Sequence, residues 1–230
     1  MLLIVANEYY AVRMAFEYKN IPYKTSWLEF PDIKPTLISF GLDPNPESSG
    51  DMPYTVPTVK LPSGGYIMES YAIIKEIERL HPEPSLHLNN GYYDRTYAIL
   101  QDLATNLIPE ILPRIPLNVI YDESMEYFQR TRKEMFGMSL ADLLKSDKAG
   151  ENAWTAAKPA IKNLETLLTE NSSGPFIDGV QVSYADFLIA AVYIFFEMAH
   201  KDSLERLMAY GECFQRHYKA CRKWMTQNDS

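Results

Sequence analysis

Cysteine is scarce in this chain: there are two, Cys213 and Cys221. They fall in one helical stretch, eight positions apart, too far to bridge within a regular helix. That excludes a disulfide framework and points to a reducing compartment, with both thiols as buried packing. Histidine is scarce too. His81, His87, His200 and His217 stand without a close pair at ligand spacing, so no metal site is expected. No glycine-rich phosphate loop of the right spacing occurs. Positive charge is in deficit: 22 Lys and Arg against 30 Asp and Glu give a net charge of −8, which argues against a nucleic-acid partner. Long apolar runs are missing as well. The most apolar stretch, Phe187 to Phe196, is too short to cross a bilayer, so no membrane partner is expected. The opening MLLIV is followed at once by Asn7 and Glu8, without a basic start, so it does not read as a signal peptide. A cytoplasmic location is expected.

What is present is ample core material. The 230 residues are 47% hydrophobic, enough for one large domain or two small ones. Residues 1–88 mix strand-like and helix-like segments with many prolines; residues 91–230 show almost only helical periods. HPEPSLHLNN, residues 81–90, stops one helix with Pro82 and Pro84 and starts the next with Asn89 or Asn90. The expected domains are therefore 1–86 and 91–230. In the first, Tyr9 to Lys19 reads as a helix with Val12, Ala15 and Phe16 on one face. Residues 23–30 alternate as a strand, and one short helix precedes Gly41. Val56–Leu61 and Tyr66–Met68 form a hairpin, with Gly64 and Gly65 free to take positive φ. A helix follows with Ile73, Ile74, Ile77 and Leu80 inward and Lys75, Glu76, Glu78 and Arg79 outward.

In the second half, helices are expected over Tyr92 to about Leu107, over residues 123–144 with Gly137 inside, and over residues 153–169. Pro109, Pro113 and Pro116 bend or interrupt the continuation of the first. VSYADF, residues 182–187, is the Asp form of a capping box: Ser183 at N-cap, Asp186 at N3, and Val182 with Phe187 as the hydrophobic staple. The helix behind it is apolar on all sides and belongs at the centre of a helical domain. Ser183 and Asp186 are read as structural.

One constellation carries chemistry. Pro57 opens a strand, and a cis bond there leaves the Val56 N–H and C=O facing a groove, where an extended peptide can pair with them; a proline merely tolerated at a strand start is the plain alternative. Glu69 and Ser70 stand where the next helix begins. Its unpaired N–H groups and positive dipole end suit a carboxylate, to which the Ser70 hydroxyl adds a donor. Glu69 can accept from an ammonium beside that carboxylate. The plain alternative has Ser70 as N-cap and Glu69 as a solvated acid. An extended peptide with a free amino-acid head group, bound in a reducing compartment, describes glutathione.

VPTVKLPSGGYIMES followed by an amphipathic helix resembles the glutathione-binding half of glutathione transferases. KNIPY resembles the segment after their first helix, and VSYADFLIAA the capping box of their helical domain. FPDIKP and EYFQRTRKEMFG resemble the fungal etherase-like, FuA-type members. The resemblance implies an α/β thioredoxin-like N-terminal domain joined to an all-α C-terminal domain. It also implies glutathione as co-substrate and no metal. Val56, beside Pro57, would pair with the cysteinyl backbone, and Glu69 and Ser70 would hold the γ-glutamyl end. A homodimer of the family's kind is implied.

The start departs from the family pattern. Aligning on VRMAFEYKNIPY puts the expected catalytic serine at Ala6, with Asn7 next, and leaves the first strand shortened or missing. The candidates for stabilising the thiolate are then the helix N-terminus and the Asn7 amide, or a hydroxyl of Tyr9 or Tyr10. The expected function is transfer of glutathione to a hydrophobic aromatic electrophile, or its use in cleaving an ether or reducing a peroxide. The alternatives are a non-catalytic carrier of flat aromatic molecules, with Tyr121, Tyr127 and Phe128 near the cleft, and a scaffold reusing the fold.

Overall fold

The computed structural model describes residues 2–46 and 52–225, with side chains from Glu8 onward. The first helix, α1, spans Leu2–Lys19. Its inward face of Ala11, Val12, Met14 and Ala15 is buried. Asn20 ends it in the left-handed conformation, φ 53°. The Asn20 N–H bonds to Glu17 O at 3.1 Å and the Ile21 N–H to Phe16 O at 3.0 Å, a Schellman closure in which asparagine takes the position glycine usually fills.

Two expectations for this region are corrected. The helix expected from Tyr9 begins at Leu2, so the first strand, expected to be shortened or missing, is missing among the described residues. Residues 23–29 are irregular, although their alternation suits a strand. Alternation supplies faces but not a partner ladder, and the only strand pair among the described residues lies elsewhere. Helix α2, Phe30–Ser39, begins instead at Phe30 with Pro31 in its first turn.

The sheet is a two-stranded antiparallel hairpin. β1, Thr58–Lys60, pairs with β2, Tyr66–Met68, in the register Thr58↔Met68, Val59↔Ile67 and Lys60↔Tyr66. Gly64, at φ 93°, makes the turn; Gly65 needs no positive φ. Helix α3, Ser70–Leu80, then buries Ile73, Ile74 and Ile77. Lys19 is buried at the end of α1. Its ammonium donates to His81 O at 2.6 Å and Pro84 O at 2.8 Å and pairs with Glu78 at 2.6 Å. Glu78 also accepts from the Leu86 N–H at 2.9 Å and the Ser85 hydroxyl at 2.8 Å. It therefore pins residues 81–86 to α3, and is not the simple outward charge that helical periodicity suggests.

The rest is helical: α4 Tyr92–Ile111, α5 Ile115–Asn118, α6 Asp122–Phe136, α7 Leu140–Lys145, α8 Gly150–Thr169, α9 Tyr184–Ala199, α10 Lys201–Met208 and α11 Glu212–Cys221. The single helix expected over 123–144 is two. Gly137 is left-handed at φ 70° and its N–H closes α6 on Lys133 O, so the glycine stops the helix. α9 is buried on every side, from Tyr184 to Phe196. It packs against α1 and α4, and α4 packs against α8. One continuous hydrophobic core thus joins both halves of the chain.

Ser183 and Asp186 form the expected box at the start of α9. The Asp186 carboxylate accepts from the Ser183 N–H and the Ser183 hydroxyl, each at 2.8 Å. Ser183→Ala is expected to lower stability by about 0.5–2 kcal/mol, the range for a lost N-cap, while leaving ligand affinity unchanged. A urea titration read beside calorimetry checks both; a variant that melts like the parent but loses ligand binding shows the box to be part of a site. Among the described residues no helix is long and apolar enough to cross a membrane.

Candidate functional site

The chain enters β1 through Thr55, Val56 and Pro57, and the Val56–Pro57 peptide bond is cis. The Val56 N–H and C=O have no hydrogen-bond partner among the described residues. Glu69, between β2 and α3, lies at φ 76° and ψ 122°, a conformation L side chains rarely adopt. Its carboxylate turns away from the helix it precedes. Oε1 accepts from Asn45 Nδ2 at 2.7 Å and from the Thr55 hydroxyl, which ties the start of α3 to the residue before Val56. Glu69 makes no side-chain cap bond. The first N–H groups of α3, and the positive end of its dipole, are left uncapped by it. The sequence-predicted set Val56, Pro57, Glu69 and Ser70 is thus assembled around one bond, Thr55 to Glu69.

Ser70 is 4% exposed, and its hydroxyl donates to Glu8 Oε2 at 2.8 Å. Sequence reasoning missed Glu8. It lies four residues before Val12 on the apolar face of α1, and a carboxylate at a core position is the signal that reveals it. Burial pushes the Glu8 carboxyl up to about 7; the Ser70 bond works against this and the Glu69 charge adds to it.

Aromatic side chains close the site from the helical half. Tyr71 of α3 stacks on Tyr93 of α4 with ring centroids 3.9 Å apart and planes 13° off parallel. Tyr97 and Tyr184 lie 5.8 and 6.1 Å from the Tyr93 ring. Burial first, and the nearby Glu8 charge second, raise all three hydroxyls, Tyr93, Tyr97 and Tyr184. The Tyr184 hydroxyl is buried beside Ser70 and Glu8, and Ser70 partly offsets the rise.

The other predicted residues fall elsewhere. Asn7 is in α1, one position before Glu8, and its side chain, like that of Ala6, lies outside the described residues. The Tyr9 hydroxyl accepts from Arg13 at 2.9 Å and the Tyr10 hydroxyl meets the Met198 sulfur at 2.9 Å. Phe128 of α6 is buried against Phe30 of α2, centroids 5.3 Å apart, and Tyr121, just before α6, is exposed. That face of α6 meets α2; the aromatic wall of the site comes from α3, α4 and α9 instead. A groove of about 590 Å³ runs along α3 past Lys75 and Arg79 and shares with this wall only Tyr71.

Comparison with known proteins identifies this architecture. The family model for the glutathione S-transferase N-terminal domain matches residues 10–80, and the model for the C-terminal domain matches residues 96–224. The chain belongs to the glutathione S-transferase family. A relative, the glutathione S-transferase-like protein ustS of Aspergillus flavus, is 30% identical, the match covering 93% of this chain and 82% of the relative. Among solved structures, the glutathione S-transferase CsGST63524 of Ceriporiopsis subvermispora, in complex with glutathione, superposes with a TM-score of 0.83 at 24% identity, over 96% of this chain and 91% of that one. GSTFuA3 of Phanerochaete chrysosporium gives 0.80 at 21% identity, over 96% and 90%. The fold is thus a glutathione transferase fold, thioredoxin-like half first, with one hairpin as the sheet among the described residues.

Proposed function

We propose that this transferase-family chain binds glutathione between the β1 entry and the N-terminus of α3, and that it joins the glutathione sulfur to a hydrophobic aromatic electrophile. The observation that carries the reading is the uncapped start of α3 with Ser70 at its first position, held by Glu69 and Thr55 beside a Val56 with unpaired backbone groups. The Val56 N–H and C=O take the cysteinyl backbone as an added strand. The α3 amides and the Ser70 hydroxyl take the γ-glutamyl carboxylate. Glu69 keeps Oε2 for the ammonium, Oε1 being held by Asn45 and Thr55. The thiol loses its proton to solvent; its sulfur then forms a bond to carbon as the electrophile's leaving group departs with the electron pair. Asn7 is assigned, from sequence, as the donor to the thiolate.

The stack of Tyr71, Tyr93 and Tyr97 favours a second reading, a carrier that holds flat aromatic molecules beside glutathione without turnover. Conjugation of a chlorodinitrobenzene-type electrophile separates the two. Ser70→Ala is expected to weaken glutathione binding by about 1.5–3 kcal/mol, the worth of a hydrogen bond to a charged group, with the fold intact by circular dichroism. Unchanged affinity in calorimetry removes Ser70 from the site.

A further inference from the structure

The Glu8 carboxylate is placed where a ligand's head-group carboxylate has to go. It lies on the Ser70 hydroxyl at 2.8 Å, with Glu8 9% exposed and Ser70 4% exposed. The groups that face it are neutral or negative. They are Ser70 at the start of α3, Glu69 just before it, Tyr93 and Tyr97 on α4 and Tyr184 on α9. No Lys, Arg or His among the described residues acts on it. The Tyr184 hydroxyl is buried beside this group, against Ser70. The chain thus supplies its own carboxyl group at the α3 N-terminus.

We infer that Glu8 determines which head groups the site admits, by occupying the carboxylate seat on Ser70 until it is protonated. The inference rests on the glutathione reading above. Two carboxylates sharing one site cannot both stay ionised. A ligand carboxylate reaching the α3 amides meets either an ionised Glu8, which repels it, or a protonated one. In the protonated state the Glu8 O–H donates to Ser70 Oγ, and the Ser70 hydroxyl turns to donate to the ligand. The proton comes from solvent and stays on Glu8, so the balance is one proton taken up for each ligand bound. Burial places the acid strength of Glu8 close to neutrality, which makes this exchange accessible under ordinary conditions. Glu8 is therefore a specificity-determining residue: it admits a carboxylate head group at the expense of a proton and discriminates against it as pH rises.

The test uses S-methylglutathione, whose blocked sulfur does not titrate, with calorimetry on the full chain at about pH 6 and about pH 8. The parent is expected to bind about tenfold more tightly at the lower pH, as follows from one group titrating near 7. Two buffers of different ionisation enthalpy should show close to one proton taken up per ligand at the higher pH. Glu8→Gln keeps an oxygen to accept from Ser70 and cannot ionise. It should bind equally at both pH values, about tenfold more tightly than the parent at about pH 8. Equal pH dependence in parent and variant overturns the inference, as does a variant weaker than the parent at both pH values, which makes Glu8 a ligand for the ammonium. A parent that binds equally at both pH values, without proton uptake, removes the role of Glu8 and leaves the glutathione reading standing. Absence of binding by parent and variant alike overturns that reading and the inference with it.

Discussion

Asp186→Ala is expected to destabilise the fold by about 3–5 kcal/mol, because it leaves three buried donors without an acceptor at about 1–3 kcal/mol each. The carboxylate is fully buried and all its acceptor capacity is in use. Oδ2 accepts from the Ser183 N–H and hydroxyl at 2.8 Å. Oδ1 accepts from the Ile177 N–H at 2.9 Å and faces His217 Nε2 at 3.1 Å. The tautomer with its hydrogen on Nε2 lets His217 donate to Oδ1. Alanine would strand two backbone N–H groups and a ring N–H in a site without water, each a desolvated donor lacking a partner. Because this one side chain accepts four contacts that join Ile177, the start of α9 and α11, the effect should exceed that of Ser183→Ala, which removes a single hydroxyl. Asp186→Asn keeps the shape but replaces one acceptor oxygen with an NH₂ facing donors, and should fall between. Urea unfolding of the three variants checks the order; an Asp186→Ala chain with the parent's midpoint shows that the network contributes nothing net.

The same network shows where sequence reading succeeds and stops. The Ser183–Asp186 contact spans one helical turn, so residue type and spacing are enough to see it. His217 lies 31 residues further along the chain, and only the docking of α11 on α9 brings it in. The hairpin was legible for the same local reason, through Pro62, Gly64 and an alternating run on each side. The strand expected at 23–30 did not form because a strand exists only when another strand pairs with it, and among the described residues β1 and β2 pair only with each other. Gly137 lay inside a helical period that continues on both sides, and its left-handed φ is invisible to periodicity. In the site, Glu69 and Ser70 announced a helix start, whereas Glu8 meets Ser70 across 62 residues. The aromatic wall was sought on α6; the tyrosines that form it belong to α3, α4 and α9, and which helix faces the site is set by packing rather than by composition.

Glu8→Gln should make the protein more stable near neutral pH, by about 3 kcal/mol above pH 7, and the gain should vanish in acid. The sign follows from linkage. The folded-state acid constant of Glu8 is raised from the ordinary 4.5 to about 7, so between those values the native state holds a proton that the unfolded chain has lost. Stability from this group is complete below about pH 4.5, falls as pH rises through the interval, and levels off above about 7. That rise from 4.5 to about 7 corresponds to about 3 kcal/mol, and burial of Glu8 against Ser70 leaves little solvent to screen it. Glutamine presents the same shape to Ser70 and has nothing to ionise, so its profile lacks this fall. The measurement is urea unfolding of both chains at a series of pH values, plotted as their difference. A difference that climbs between about pH 4.5 and 7 and then flattens identifies Glu8 as the titrating group. A difference flat across the whole range means that the ionised carboxylate is solvated in the folded protein, and the destabilisation assigned to its burial does not exist.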